Sequence, residues 1–377
     1  MEKLFLFMGC SEYQVPILKI AKEAGLKLIC VDKNGIPELK EEIDYLIKKD
    51  LTDYSKVAEK LKKLPFKNII GFYGVADYAY DSLFEIFKIL KINRIKVLSC
   101  KKFTDKLSTN SILKKHKIRF PKTVEVKYGN KKLYTNKIKY PCIIKKSLSH
   151  NSLGIIEISN NKQLVEIIHN SKPKDKLLLQ EKINGNVFNV DLIIMKNRII
   201  EHAFTKRYFS KDFKATYAIE YKNNHKFKKY FKYAKEICEK IGIDEGPVTL
   251  DFIQDNGKIY LLEISQHFHS IYLNKLSGKI KQIKQWFFSY TKKQIPKEKN
   301  FNLSYHVAYI NIYLHSKKVF IKNMSFIKKL ESFVEFKKRK SINLNNLGSL
   351  FGILFLKNKN LICLKNDINL INNLELN

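Results

Sequence analysis

The stretch Gly246-Pro-Val-Thr-Leu-Asp-Phe-Ile-Gln-Asp-Asn-Gly-Lys-Ile-Tyr-Leu-Leu-Glu263-Ile-Ser constrains the chain more than any other segment. Val248, Leu250 and Phe252 alternate with Thr249, Asp251 and Ile253, and Asp255-Asn-Gly257 is a tight-turn signal, so the spacing predicts an antiparallel hairpin. Each strand carries one acid, and Asp251 and Glu263 are expected to lie close together. Two carboxylates on adjacent strands suit a hard cation. Magnesium takes one or two protein carboxylates and completes its shell with water and phosphate oxygens, so the pattern points to a nucleotide site rather than a calcium cage.

The surrounding chain reads as a globular protein. Its 377 residues suffice for two or three domains, and 45% of them are hydrophobic. No apolar run approaches the roughly 20 residues needed to span a bilayer, and the N-terminus opens on Leu4-Phe-Leu-Phe7 without a secretory pattern. A cytoplasmic location is the expectation. Six cysteines, at positions 10, 30, 100, 142, 238 and 363, form no CxxC pair and read as reduced core residues. The formal charge of +35 comes from lysines on nearly every segment, with arginine only at 94, 119, 198, 207 and 339. Spread of this kind, together with abundant Ile and Asn, reads as a compositional bias rather than a nucleic-acid surface, which needs clustered cations and bidentate readers. Its milder consequence is attraction of anionic substrates.

Residues 1 to about 100 alternate strands (Leu4–Met8, Leu26–Val31, Asn68–Phe72, Val97–Leu98) with helices (after Pro16, over Tyr54–Leu64 and over Ala79–Leu90), which implies a parallel sheet flanked by helices. Gly9 and Asp32 end the first two strands as in a nucleotide-binding crossover, but the GxGxxG fingerprint is missing. Thr104 is the expected N-cap of a helix running to His116. From Lys139 short strands with polar turns indicate an antiparallel sheet. An amphipathic helix follows over Phe227–Ile241 and then the acidic hairpin, and strands beyond about Asn300 suggest a small third domain.

Four segments in order, Tyr140-Pro-Cys-Ile-Ile-Lys145, Ser149-His-Asn-Ser-Leu-Gly154, Leu179-Gln-Glu181-Lys-Ile-Asn-Gly185 and the two-carboxylate hairpin, resemble the ATP-grasp superfamily. The resemblance covers most of residues 1–300 and is nearest to the carboxylate–amine ligase branch related to carbamoyl-phosphate synthase and biotin carboxylase. It implies a Rossmann-like domain over 1–100, an ATP-grasp domain over 101–299 and a small β-rich domain over 300–377. It also implies ATP with magnesium or manganese as cofactors, and a small carboxylate and an amine as substrates. Lys106 and Lys145 match phosphate-contacting lysines, Ser149, Ser152 and Gly154 match the loop that closes over the phosphates, and Gln180, Glu181 and Ile183 match the hinge whose backbone reads adenine. Gly185 is expected to make the turn that follows. Asp251, Glu263 and Ser265 match the metal ligands, while Lys206, Arg207 and His267 match positions facing the terminal phosphate and the substrate.

The chain departs from the family in three places. Val187 stands where a glutamate usually holds the ribose, Ser265 replaces an asparagine, and His267 replaces an arginine. These departures imply either retuning toward another substrate or a nucleotide-binding protein that has lost ligation and serves a regulatory or assembly role. A homodimer is compatible with the surfaces of the first domain and of the C-terminal strands.

Overall fold

The computed structural model describes residues 2–10, 12–35, 42–92, 103–126, 138–147, 154–171, 176–195, 198–222, 225–243, 245–291, 305–339 and 348–374. At the N-terminus β1 (Leu4–Met8), β2 (Lys27–Val31), β3 (Tyr45–Ile47) and β4 (Ile69–Gly74) form a parallel sheet in the order β3-β2-β1-β4. Every side chain of β1 is buried, as a strand covered on both faces requires. One cover is α2 (Tyr54–Lys62) with α3 (Asp77–Leu90), reached after α1 (Val15–Glu23). Asp32 is fully used in holding loops: its carboxylate accepts from the backbone N–H groups of Cys10, Asn34 and Gly35 at 2.9, 2.9 and 3.2 Å. The expected strand Val97–Leu98 lies outside the described residues.

The next helix, α4 (Lys106–Lys115), is capped by Asp105, which accepts from Ser108 N at 3.1 Å. Thr104, the cap expected from sequence, instead donates to Asp81 at 2.9 Å and so ties the chain to α3. Strands β5 (Thr123–Glu125), β6 (Cys142–Lys146), β7 (Ile156–Ile158) and β8 (Leu177–Glu181) make a small antiparallel sheet ordered β5-β8-β6-β7, with α5 (Asn161–Asn170) packed beside it.

The largest sheet has eight antiparallel strands: β9 (Asn186–Met195), β10 (Arg198–Phe209), β11 (Ala215–Glu220), β12 (Gly246–Asp255), β13 (Lys258–Ser265), β14 (His306–Tyr313), β15 (Phe333–Lys338) and β16 (Leu350–Asn358). Their order is β13-β12-β9-β10-β11-β14-β16-β15. The strands beyond residue 300 therefore continue this sheet, through the pairing of β14 with β11, where a separate small domain was expected. One face is sealed by α6 (Lys228–Ile241), which lays Phe231, Ala234, Ile237 and Cys238 on Phe188, Phe204 and Phe252. Gly185 takes no left-handed turn. It is small because a Cβ there would lie 2.2 Å from the Gln254 carbonyl oxygen, so the backbone of the β8–β9 connection can cross β12.

After β13 come α7 (Ile271–Ser277) and α8 (Ile280–Thr291). Helix α8 gave no clear sequence signal, yet its Trp286 and Phe287 pack edge-on against Phe5, Phe287 also stacks on Phe7, and together they join the N-terminal sheet to the large one. Beyond β14, α9 (Lys317–Lys322) and α10 (Met324–Ile327) lead to β15, and α11 (Leu361–Asn372) closes the chain.

Candidate active site

The acidic hairpin has the expected two-residue turn, with Asn256 and Gly257 at φ 45° and 77° and Asp255 opposite Lys258. Continued regularly, that register would set Leu262 opposite Asp251 and send Glu263 to the other face. A β-bulge between the Asp251 and Phe252 pairings absorbs one residue and brings Glu263 directly opposite Asp251. From there one cross-strand row runs Glu263, Asp251, Asn189, Thr205, Glu220 and Val307. The adjacent row on the same face runs Ile253, Val187, Arg207, Ala218, Tyr309 and Phe355. Glu263 and Asp251 of the first row, and most of the second, floor a cavity of about 1410 Å³, whose other walls come from the small sheet and from the β4–α3 corner of the N-terminal sheet.

Asp251 is the hub. Arg207 Nη1 donates to its Oδ2 at 3.0 Å, and the Asn189 amide donates to its Oδ1. Burial pushes the Asp251 carboxyl up to about 6, with Arg207 opposing and Glu263 reinforcing that rise. Glu263 pairs with Lys106 at 3.2 Å. Lys145 is buried and donates to Gln180 Oε1 at 3.0 Å, and Gln180 in turn donates to Thr123 at 2.8 Å. Burial, then the neighbouring charge of Lys106, pushes the Lys145 amine down to about 8, while Glu263 works the other way.

Thus the structure brings together Lys106, Lys145, Arg207, Asp251 and Glu263. Ser265 and His267 join them through Asp77, whose carboxylate lies 3.4 Å from Ser265 Oγ and 3.7 Å from His267 Nε2. Lys206 also borders the cavity, but its cross-strand partners Phe188 and Ile219 belong to the apolar face, so the pleat sets it apart from Arg207. Gln180 and Glu181 spend their side chains on structure, the latter accepting from Lys122 N at 2.7 Å, while Ile183 lines the cavity. Gly154 is exposed with φ 76°. Ser149 and Ser152 lie outside the described residues.

Four residues in and around this site were missed from sequence. Asn189 and Asp191 interrupt the apolar run of β9 at alternate positions, a pattern that could have marked the cavity face; Asp77 and Tyr309 come from distant elements and carry no local signal.

Asp251 and Glu263 are hard oxygen donors set side by side, and Asn189 Oδ1 is a buried acceptor with no partner among the described residues. That set fits magnesium, whose protein ligands are few. No cluster of three or more His, Cys, Asp and Glu residues occurs among the described residues, which excludes a dedicated all-protein cage there.

Residues 103–269 match the family model of the ATP-grasp domain. Over those residues the chain is similar to the ATP-grasp family. Nearly the whole length of the chain superposes on several solved structures. An L-amino acid ligase from Bacillus licheniformis is 14% identical with a TM-score of 0.74, covering 98% of this chain and 97% of that one. A carboxyaminoimidazole ribonucleotide synthase from Aspergillus clavatus, complexed with ATP, is 12% identical with a TM-score of 0.78, covering 100% and 99%. A phosphoribosylglycinamide synthetase from Anaerococcus prevotii is 17% identical with a TM-score of 0.65, covering 99% and 98%. At these identities the likeness establishes the fold, from the parallel N-terminal sheet to the C-terminal strands. No curated protein sequence matches the chain.

Proposed function

We propose that this ATP-grasp protein is an ATP-dependent ligase that activates a carboxylate as an acyl phosphate and passes the acyl group to an amine. The observation that carries the reading is the convergence of Lys106, Lys145, Arg207, Asp251 and Glu263 on one cavity, with Asn189 holding an acceptor ready beside the acids. The solved neighbours named above are ligases and synthetases, one of them complexed with ATP, and this supports the same reading.

In this scheme ATP lies between the small sheet and the large one, its phosphates directed toward Lys145 and Lys106. Gln180 and Thr123 orient the Lys145 amine, a point charge with rotatable donors. Asp251, Glu263 and the Asn189 carbonyl would hold magnesium. Bound there, the ion would neutralise charge on the phosphates. A substrate carboxylate oxygen attacks the γ-phosphorus, the bond to the ADP oxygen breaks, and an acyl phosphate forms. The amine nitrogen then attacks the acyl carbon, phosphate leaves with its electron pair, and the nitrogen gives up a proton. No enzyme nucleophile is needed, since positioning and fixed charge carry such transfers. Substrates are small molecules held in the cavity, and a cytoplasmic setting fits the five free thiols among the described residues.

The deciding experiment is isothermal titration with a non-hydrolysable ATP analogue and magnesium, beside the Asp251→Ala, Glu263→Ala double variant. Magnesium-dependent binding to the parent chain, lost in the variant, is the expected result. Absence of binding to the parent would end the ligase reading. The replacements at Val187, Ser265 and His267 favour a second reading, nucleotide binding without turnover, which would show as binding with no acid-dependent ADP release.

A further inference from the structure

The row that carries Arg207 is built differently on its two sides. Toward β9 it meets Val187 and the hairpin; toward β14 it meets Ala218, then Tyr309, then Phe355. Ala218 puts only a methyl group between them, and Arg207 reaches across it to hydrogen-bond with Tyr309. The guanidinium also lies 5.0 Å from the Phe209 ring centroid. With Nη1 committed to Asp251, the remaining Arg207 Nε–H is buried and has no partner among the described residues.

A second orphan stands on the other side of Tyr309. The His269 ring is centred 6.3 Å from the Tyr309 ring, and its Nε2 is likewise buried without a partner among the described residues. Burial and the neighbouring Arg207 hold this imidazole well below its usual range, so it is neutral and can donate one hydrogen bond. Two buried polar nitrogens without partners, on residues that line one cavity, are costly unless a ligand completes them, at about 1–3 kcal/mol each. Beside them Ile353, Phe355, Tyr272 and Leu350 line the same cavity; Tyr272 packs on Phe355 with ring centroids 4.5 Å apart, and Lys337 Nζ lies 3.8 Å from the Tyr272 ring centroid.

We infer that Arg207 Nε and His269 Nε2 form the seat of the acid substrate's carboxylate, and that Tyr272, Ile353 and Phe355 select an apolar tail, so the substrate is a compact monocarboxylic acid with a branched aliphatic or aromatic side chain. This rests on the ligase reading and narrows it. A carboxylate on Arg207 sits next to Asp251, hence beside the place assigned to the terminal phosphate. Its second oxygen turns to His269, and the tail lies over the Phe355 ring.

The test uses the full chain with ATP, magnesium and hydroxylamine as a general acceptor, which converts an acyl phosphate to a hydroxamate with release of phosphate. ADP release and hydroxamate are measured for 3-phenylpropanoate, 4-methylpentanoate, succinate and 3-phosphoglycerate. Faster turnover with the first two supports the inference. Turnover restricted to succinate or 3-phosphoglycerate overturns it and leaves the ligase reading standing; no turnover with any of the four, despite nucleotide binding, overturns both. His269→Leu should raise KM for 3-phenylpropanoate roughly 10- to 100-fold without moving KM for ATP, and His269→Gln, which keeps a donor, should recover part of the loss. An equal rise in both KM values, or no rescue by glutamine, would assign His269 to structure alone and overturn its place in the seat.

Discussion

Asp251 and Glu220 occupy one cross-strand row of the same sheet, three strands apart, and their surroundings differ completely. Glu220 accepts from Asn274 at 3.0 Å and from Ser277 at 2.6 Å, and pairs with Lys279 at 3.1 Å; that lysine also donates to Tyr221 O at 2.8 Å. Both ions of this pair are sealed, with side chains 0% and 2% exposed. Asp251 has Arg207 and Asn189, but the same group leaves Arg207 Nε and Asn189 Oδ1 buried without partners among the described residues, beside a cavity that Asp251 and Arg207 line. A saturated buried pair holds elements together. An incompletely satisfied one, bordering a void large enough for a nucleotide, is arranged for something that is not protein.

The sharpest way to break this contrast is to remove one acid from each end. Glu220→Ala strands Lys279 in the interior and should cost about 3–5 kcal/mol of folding stability, read by urea or thermal unfolding. A small loss there would mean the Glu220 cluster is not the brace described. Asp251→Asn should do the reverse: unfolding shifts less than for Glu220→Ala, while acid-dependent ADP release falls on the order of 10²- to 10³-fold, the scale of losing one preorganised charge at a reacting centre. Matched losses of stability and activity in the two variants would erase the distinction.

A smaller effect sharpens it. Lys145 titrates near 8 in the folded protein against 10.5 for the free side chain. Its charge, and with it phosphate attraction, is present below about pH 8 and fades above. Nucleotide affinity should therefore drop by up to about tenfold between pH 7 and pH 9, and Lys145→Met should bind weakly with a flat profile. Between these two values the unfolded chain holds a proton that the folded chain has released, so this lysine's contribution to stability rises with pH while its contribution to binding falls. A parent profile as flat as that of Lys145→Met would remove Lys145 from the phosphate site.

Much of this molecule was legible in one dimension. The βαβ alternation of the first 90 residues, the amphipathic helix over 228–241 and the Asn256-Gly257 turn are local patterns, set by periodicity and by residues that accept positive φ. Helix α8 was not, because Trp286, Phe287 and Ile283 are read as core only once the N-terminal sheet supplies Phe5 and Phe7 to meet them. The same holds for the strands beyond residue 300, whose sheet is continued through β11. Thr104 and Asp105 are both good caps in isolation, and the choice went to Asp105 because Asp81 engages the threonine.

By itself the sequence determined that two acids, two lysines and an arginine lie on strands and a helix start in a recognisable order, since residue type and spacing are properties of the chain. Tertiary structure decided whether they meet. Regular pairing from the Asn256-Gly257 turn would have pointed Glu263 away from Asp251, and one bulged residue reversed that parity. Strand pairing likewise placed Asn189 beside Asp251, and set Arg207 across Ala218 from Tyr309. Side chains alternate with a period of two along each strand, so what shares a face depends on the register between strands far apart in sequence, and that register is settled only when the whole sheet packs.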